Sequence, residues 1–195
     1  ILAGSRRAGD PVATAAGKSC KAFVEVAGET MIERVIAALR ATGRVAEITI
    51  ALPPDAPVER EAPGLARDLS AGDLHRLDSA DTPCRTVIKA LEARSQARPL
   101  LIATGDHPLL TDEVITTFLD GAAASGADVA AALAPTRLFD QAYPGARRTR
   151  LAFREDSYSG CNLFAMMGPA ARHVLAFWRR MEDRRKQPWR LAMAI

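Results

Sequence analysis

Short, largely apolar runs alternate with amphipathic stretches along most of this chain. Runs without a helical period predict buried strands at 48–52, 74–77, 100–103 and 129–133. Before and between them, apolar residues recur three or four positions apart, which predicts helices at 31–42, 65–70, 85–94 and 113–124. Because strand and helix alternate, the pattern favours an α/β fold with a doubly wound, mainly parallel sheet.

The two ends of the chain are less regular. Thr30 and Glu33 form the pattern of a capping box at the start of the helix at 31–42. The other predicted elements are a strand at 1–3, an extended piece at 21–28, a loop at 135–149 and a strand at 151–153. Residues 158–165 predict a turn at Gly160 followed by another strand, and helices are expected at 169–185 and after Pro188.

A carboxylate follows the apolar run 100–103 almost at once. The run ends at Gly105, Asp106 comes next, and Pro108 prevents further sheet pairing. We therefore expect Asp106 at the carboxyl end of a central strand, where open α/β sheets bind ligands. A carboxylate there either caps a turn or helix, for which Thr111 is an equal candidate, or holds a hard cation such as Mg²⁺.

A second group of candidate residues follows the strand at 1–3. Gly4 allows backbone amides to approach a ligand closely, as turns that bind phosphate require. Four cationic side chains lie in the residues that follow, namely Arg6, Arg7, Lys18 and Lys21. Residues 17–19, Gly-Lys-Ser, look like the end of a P-loop, but Val12 stands where the first glycine is required and no strand precedes it. We therefore exclude a P-loop ATPase or GTPase.

Composition limits the class of protein further. A chain of 195 residues suits one domain, and no apolar run approaches the ~20 residues that cross a bilayer. The three cysteines, Cys20, Cys84 and Cys161, are widely spaced, so we expect a reducing, cytoplasmic compartment rather than a disulfide framework. The chain begins inside an expected strand and ends inside an expected helix, so we expect the domain at 1–195 to lack residues at both ends.

The net charge of +3 is unevenly distributed, because the part after residue 134 is basic and the rest is slightly acidic. A basic surface attracts phosphates or nucleic acid, although a solvated helix face is the simpler interpretation of 179–186. Aromatic residues make up only 5% of the chain and no recognition motif is present, which argues against a nucleic-acid-binding module.

Three segments resemble the nucleotidyltransferase superfamily, close to the MobA-like NTP transferases around molybdenum cofactor guanylyltransferase. Residues 2–6, Leu-Ala-Gly-Ser-Arg, and then 21–36 are similar to the family's glycine loop, its signature lysine and its first long helix. Residues 105–108, Gly-Asp-His-Pro, are similar to its Asp-x-Pro metal motif. Residues 159–164, Ser-Gly-Cys-Asn-Leu-Phe, are similar to its late Gly-x-Asn segment. Together they span essentially the whole chain.

The resemblance implies a Rossmann-like sheet of the nucleotide-diphospho-sugar transferase type. It also implies an enzyme that moves a nucleoside monophosphate from an NTP to a small phosphorylated acceptor, with Mg²⁺ as cofactor and pyrophosphate as the second product. Catalysis is implied for Lys21, Asp106 and Arg6, and Mg²⁺ binding for Asp106. Contacts with the nucleotide are implied for Leu2, Ala3, Gly4, Ser5, Cys84 and Arg85. Contacts with the acceptor are implied for Asn162, Arg147, Arg148 and Arg150, with Asn162 a second metal ligand as well.

Some alternatives remain open at this point. Asn162 could cap a turn, and the arginines at 147–150 could be solvated surface. Ser5 replaces the second glycine of the family's loop, and the gap to Lys21 is longer than in the molybdenum cofactor enzymes. A noncatalytic nucleotide sensor is the main competing function. A glycosyltransferase is less favoured because its Asp-x-Asp motif is absent, and the helix at 169–185 is a candidate homodimer contact.

Overall fold

The computed structural model describes residues 1–4, 9–93 and 99–185, with side chains as far as residue 182. The strands in these ranges are β1 (Glu25–Val26), β2 (Glu29–Thr30), β3 (Thr49–Leu52), β4 (His75–Asp78), β5 (Leu100–Ala103), β6 (Val129–Pro135), β7 (Leu151–Ala152) and β8 (Ser157–Met166). The helices are α1 (Pro11–Ala15), α2 (Met31–Ala41), α3 (Val58–Glu61), α4 (Pro63–Ala71), α5 (Pro83–Glu92), α6 (Asp112–Ser125), α7 (Thr136–Ala142) and α8 (Ala171–Arg185). Nowhere in this described part is a helix both long and apolar enough to cross a membrane.

Residues 1–3 join the main strands into one sheet. β3 and β4 are parallel neighbours, and Leu2 makes parallel bridges to Ala51 of β3 and to Thr104, directly after β5. On the other side β5 pairs antiparallel with β8, which in turn pairs with β6 and with the short β7. The order is therefore β4, β3, residues 1–3, β5, β8 and β6, with β8 reversed. This mainly parallel α/β sheet confirms the predicted class.

Helices cover both faces of this sheet. One buried cluster lies between the sheet and α2, α4 and α6, and includes Ile32, Val35, Ile36, Ile50, Leu52, Leu65, Ile115 and Leu163. The other lies against α5 and α8, and consists of Cys84, Val87, Ile102, Met166, Ala171 and Leu175. Adjacent residues of β5 point to opposite clusters, Ile102 to the second and Ala103 to the first, as the two-residue period of a strand requires. The sheet is thus the middle of three layers.

Local sequence signals account for several of these elements. β5 occupies the predicted run 100–103, and the capping box at the start of α2 is present. Thr30 Oγ1 accepts a hydrogen bond from the Glu33 amide at 3.3 Å, and Glu33 Oε2 accepts one from the Thr30 amide at 3.0 Å. The two side chains satisfy backbone donors that a helix start otherwise leaves without partners.

Three details of the sequence prediction were wrong. Residues 21–28 begin with a 3₁₀ turn at Lys21–Phe23 and end in the β1–β2 hairpin, instead of forming one extended piece. The loop expected at 135–149 contains α7, whose Leu138 is 49% exposed, so the helix lacks the apolar stripe that would have marked it. The turn expected at Gly160 is absent because β8 continues through that residue. The helix expected after Pro188 lies outside the described residues.

Candidate functional site

Two chain segments leave the middle of the sheet side by side. The Leu2 amide donates to the Ala103 carbonyl at 2.8 Å, and the Gly105 amide donates to the Leu2 carbonyl at 2.8 Å. Gly4 and Asp106 therefore emerge together at the carboxyl edge of two adjacent parallel strands. This edge is where ligands bind in open α/β sheets.

Position 105 accommodates only a very small residue, because neighbouring side chains lie close to its Cα atom. A Cβ atom at this position would lie 3.2 Å from the Cβ atoms of both Ala3 and Ala22, and 3.5 Å from Ile32 Cδ1. The missing side chain thus lets the turn that carries Lys21 pack directly on the segment that carries Asp106.

We expect Gly105→Ala to lower the free energy of unfolding by about 1–3 kcal/mol, because the added methyl overpacks a close contact with the side chains of Ala3 and Ala22. Urea denaturation measures this change. Gly121→Ala in α6 is the matched control, since no atom lies within 4 Å of its Cβ position. That helical substitution should stabilise the protein by roughly 0.5–1 kcal/mol. Equal effects of the two substitutions would contradict the packing role of Gly105.

Lys21 and Asp106 form an ion pair at the centre of this edge. Lys21 Nζ lies 2.9 Å from Asp106 Oδ2, and their side chains are 36% and 33% exposed. Burial acts to raise the pKa of Asp106, but the hydrogen bond and charge of Lys21 outweigh it and hold the pKa below its ordinary value. At neutral pH the site therefore presents an ionised carboxylate beside an ammonium group, both accessible to a ligand.

His107 follows Asp106 directly, and the charge of Arg148 acts on its imidazole. Burial, reinforced by the charge of Arg148, lowers the pKa of His107, so its imidazole is neutral at pH 7. His107 Nδ1 is buried and has no hydrogen-bond partner in the described structure. Arg148 donates to the Gly160 carbonyl at 3.3 Å, and its guanidinium carbon lies 5.1 Å from the centre of the Phe139 ring. These contacts fix one cation of the 147–150 cluster within electrostatic range of His107, the residue after Asp106.

The other two arginines of that cluster are placed differently. Both terminal nitrogens of Arg150 contact the Asp140 carboxylate, at 3.0 and 2.9 Å, so its planar donor group is already engaged on α7. Arg147 is exposed. The structure therefore distinguishes Arg148 from its neighbours, which the sequence did not.

Asn162 lies at a distortion of β8. The pairing of β8 with β6 shifts register between Ala131 and Leu133, and Asn162 has a backbone φ of 54°. Left-handed backbone is uncommon for residues with a Cβ, is tolerated best by asparagine and glycine, and is often found where function imposes it. Leu163 pairs with Ala103, so Asn162 lies at the same edge of the sheet as Asp106.

The predicted nucleotide contacts divide into three groups. Leu2 and Ala3 use their amides within the sheet, where Ala3 donates to the Ala51 carbonyl at 3.0 Å. A nucleotide contact of these two residues would have to use other atoms, and it stays a prediction. Gly4 is exposed and its Cβ position lies 3.6 Å from Ser79 Oγ. Ser5 and Arg6 lie outside the described residues, so their predicted roles stay predictions.

Cys84 and Arg85 begin α5 on the opposite face of the sheet from α2. The Cys84 side chain is fully buried, with Sγ 3.4 Å from the Leu175 carbonyl of α8. It belongs to the core, so of the two residues for which the resemblance implies a nucleotide contact, Cys84 is the less accessible. Arg85 is a more accessible candidate, with Nε 3.7 Å from Asp81 Oδ1 in an exposed ion pair.

Comparison with known proteins gives this arrangement a family. Residues 1–184 match the sequence model of the MobA-like NTP transferase domain. The chain belongs to the MobA-like NTP transferase family. Among solved structures, a hypothetical transferase from Thermus thermophilus is 27% identical with a TM-score of 0.73, over 98% of this chain and 74% of that protein.

More distant structures share the fold of this MobA-like protein. A CMP:2-keto-3-deoxy-manno-octonic acid synthetase complexed with CTP is 16% identical, with a TM-score of 0.59 over 92% of this chain and 75% of that one. A 4-diphosphocytidyl-2C-methyl-D-erythritol synthase from Anaerococcus prevotii is 12% identical, with a TM-score of 0.56 over 83% and 71% of the two chains. At these identities the likeness establishes the nucleotide-diphospho-sugar transferase type of fold alone.

The donor set of this MobA-like site suits Mg²⁺ that arrives with a nucleotide. Within the described ranges, no three His, Cys, Asp or Glu side chains converge as a metal site. Mg²⁺ commonly binds one or two carboxylates together with substrate phosphates and waters. Asp106, with a half-buried carboxylate that a ligand can reach, fits that mode, and Asn162 offers a neutral amide oxygen as a predicted second ligand.

Sequence reasoning missed one polar residue near the site. Glu61 is only 5% exposed, and its carboxylate contacts Ser19, two residues before Lys21. A signal was available: Glu61 lies three residues after Val58 and four before Leu65, and both of these are buried. A carboxylate on the buried stripe of two short helices indicates a specific partner, because an unpaired buried charge is costly.

Proposed function

We propose that this protein is a Mg²⁺-dependent nucleotidyltransferase that moves a nucleoside monophosphate from an NTP to a small phosphorylated acceptor. The ion pair of Lys21 with Asp106, 2.9 Å apart beside the exposed Gly4, carries this proposal. It supplies a cation for phosphate oxygens and a carboxylate for a hard cation at one point on the sheet edge. Membership of the MobA-like NTP transferase family supports the same reaction class.

The reaction needs positioning and charge neutralisation more than covalent catalysis. An acceptor phosphate oxygen forms a bond to the α-phosphorus of the NTP as the bond from that phosphorus to the bridging oxygen breaks, and pyrophosphate leaves with the electron pair. The acceptor phosphate is already ionised at neutral pH, so no side chain has to remove a proton from it. Lys21 binds phosphate oxygens on which negative charge accumulates in this step.

Asp106 would hold Mg²⁺, which when bound neutralises the charge of the triphosphate and orients it. In the absence of nucleotide, the Lys21 ammonium is paired with the Asp106 carboxylate. We infer that the ammonium exchanges Asp106 for phosphate oxygens when nucleotide and metal enter, so both partners are kept ionised and in place beforehand. This preorganisation lowers the cost of ordering the site on binding.

Arg148 is the group we assign to the acceptor phosphate. Its charge lowers the pKa of His107 and its guanidinium lies over the Phe139 ring, whereas Arg150 is engaged by Asp140. A guanidinium binds phosphate oxygens in a bidentate manner. Asn162, at the same edge, is the second candidate for contact with the acceptor.

The function can be tested by a thermal-shift screen of ATP, GTP, CTP and UTP, each with Mg²⁺ and with EDTA. A ligand at 100 times its Kd stabilises the folded protein by ~2.7 kcal/mol, which is readily seen as a rise in Tm. We expect a Mg²⁺-dependent rise for one NTP. Pyrophosphate release is then measured with that NTP and a panel of sugar phosphates, phospho-alcohols and phosphorylated cofactor precursors.

The outcomes separate the candidate functions. Release of pyrophosphate that depends on an acceptor supports the transferase. A Tm rise with an NTP but no turnover with any acceptor would favour the nucleotide sensor. A folded protein whose Tm responds to no nucleotide would contradict both.

A further inference from the structure

Glu61 is a buried carboxylate outside the Lys21–Asp106 pair. It ends α3, which follows the loop at the carboxyl end of β3, and it is 5% exposed. Its Oε1 lies 2.7 Å from Arg60 Nη2, on a side chain that is itself 75% exposed. Arg60 pairs with Oε1 of Glu61 from the solvent side, and the other oxygen, Oε2, faces the protein.

That second oxygen holds the segment before Lys21. Ser19 donates to Glu61 Oε2 twice, from its amide at 2.7 Å and from its hydroxyl at 2.8 Å. Lys18 Nζ donates to the Glu61 backbone carbonyl at 3.2 Å. Bonds to an ionised acceptor are stronger than bonds between neutral groups, so the Glu61 carboxylate fixes Ser19, which lies far away in sequence, and the Glu61 backbone adds a contact with Lys18.

The same segment leads directly to the site. Cys20 Sγ lies 3.1 Å from the Ala3 carbonyl, and the 3₁₀ turn at Lys21–Phe23 begins at the next residue. Ser19 is two residues from Lys21, whose Nζ reaches Asp106. A continuous series of contacts therefore runs from Glu61 through Ser19 and Lys21 to Asp106.

We propose that Glu61 is a positioning residue that keeps the Lys21 ammonium at Asp106 by clamping Ser19. The effect on Lys21 stands on the contacts alone, whereas its consequence for catalysis rests on the proposed function. Without the Glu61 carboxylate, Ser19 would lose both of its bonds to that group while Lys18, Cys20 and Lys21 kept theirs, and the ammonium would spend less time where the phosphates bind.

Chemical labelling of Lys21 tests the position of the ammonium directly. Folded protein is treated with limiting acetic anhydride at fixed pH, and the labelling rate of each lysine is read by mass spectrometry. A lysine held in an ion pair reacts slowly, because the pair must open first. We expect Glu61→Ala to label Lys21 about tenfold faster, close to the rate in Asp106→Asn, and Ser19→Ala to label it about threefold faster.

Two controls separate positioning from general loosening. Glu59→Ala removes an exposed carboxylate of the same helix and should leave the Lys21 rate unchanged. Lys89, whose Nζ donates to the Asp78 carbonyl at 2.8 Å elsewhere on the fold, reports on the whole molecule. Ser19→Ala removes one bond to Glu61 without changing any residue of α3. It therefore decides the outcome even if Glu61→Ala folds poorly. An unchanged Lys21 rate in Ser19→Ala, or an equal rise at Lys89, overturns the proposal.

Nucleotide binding is a separate readout. With the NTP that the thermal-shift screen selects, we expect Glu61→Ala to raise the Kd for the Mg²⁺ complex about tenfold and Glu59→Ala to leave it unchanged. If wild-type protein binds no NTP, the proposed function fails while the labelling rates still decide the role of Glu61. If wild-type protein binds and Glu61→Ala binds equally well with an unchanged Lys21 rate, the clamp is refuted and the transferase stands.

Discussion

Replacing Asp106 by Asn should lower the rate of nucleotidyl transfer about a thousandfold or more, because it removes the only ionised oxygen ligand that we assign to the metal. The substitution keeps the shape of the side chain. It also leaves Lys21 without its anionic partner, so the ammonium loses its 2.9 Å contact at the same time. The measurement is pyrophosphate release at saturating NTP and acceptor, together with the Tm shift produced by Mg²⁺ and NTP.

The fold should survive this change. Ion pairs with such exposed partners contribute about 0–1 kcal/mol, so the Tm of the free protein should move by only a few degrees. Asp68→Asn is the matched control, since Asp68 is also 33% exposed and lies 2.8 Å from Arg40 on the far surface. It should cost as little stability and no activity. An Asp106→Asn protein that keeps its Mg²⁺-dependent Tm shift and turnover would refute the role of Asp106.

The pH dependence of stability follows from the same ion pair. The pKa of Asp106 in the folded protein lies below its ordinary value of 3.8. Its contribution to stability is therefore fully present above that value and is lost as the pH falls through the lower, folded pKa. The small difference in stability between wild type and Asp106→Asn should consequently be constant from neutral pH down to about pH 5 and disappear in stronger acid.

Much of the fold could be predicted because it depends on local patterns. The run 100–103 is apolar throughout, as a strand buried on both faces must be, and it coincides with β5. Thr30 and Glu33 marked the start of α2 through a bond pattern that needs no tertiary contact. By contrast, α7 has an exposed Leu138, and its only buried residue, Thr136, donates to the Ser157 carbonyl of β8. A helix defined by such a long-range contact leaves no periodic signal.

The sequence predicted which residues belong to the candidate site, but not how their side chains are arranged or which of them are in contact. Sequence placed Asp106 after a central strand and Lys21 in a cationic segment, but their contact depends on the absence of a side chain at Gly105. The family resemblance implied a nucleotide contact for the pair Cys84 and Arg85, and the inward face of α5 places Cys84 in the core. The apolar stripe of a helix indicates its inward face, but which of the remaining side chains meet at a ligand is set by packing between segments that lie far apart in sequence.

Replacing Arg148 by Ala should raise the KM for the phosphorylated acceptor about 10- to 100-fold, since charge-assisted hydrogen bonds to phosphate are worth about 1.5–3 kcal/mol. This guanidinium is positioned before the acceptor binds. Its carbon lies 5.1 Å from the centre of the Phe139 ring, and it donates to the Gly160 carbonyl at 3.3 Å. The affinity for the NTP alone should change little. Initial rates of pyrophosphate release, with the acceptor concentration varied at saturating NTP, measure the effect.

Arg150→Ala is the control that makes this result specific. It removes the same charge two residues away, but it breaks an exposed pair with Asp140 in which the side chains are 53% and 44% exposed. If these arginines act on the acceptor only through long-range attraction, the acceptor KM rises in both variants. If Arg148 contacts the acceptor directly, the KM rises in Arg148→Ala alone. Arg148→Lys should restore only part of the affinity, because an ammonium lacks the planar pair of donors. Equal KM values for Arg148→Ala and wild type would remove Arg148 from the acceptor site and leave Asn162 as the remaining candidate there.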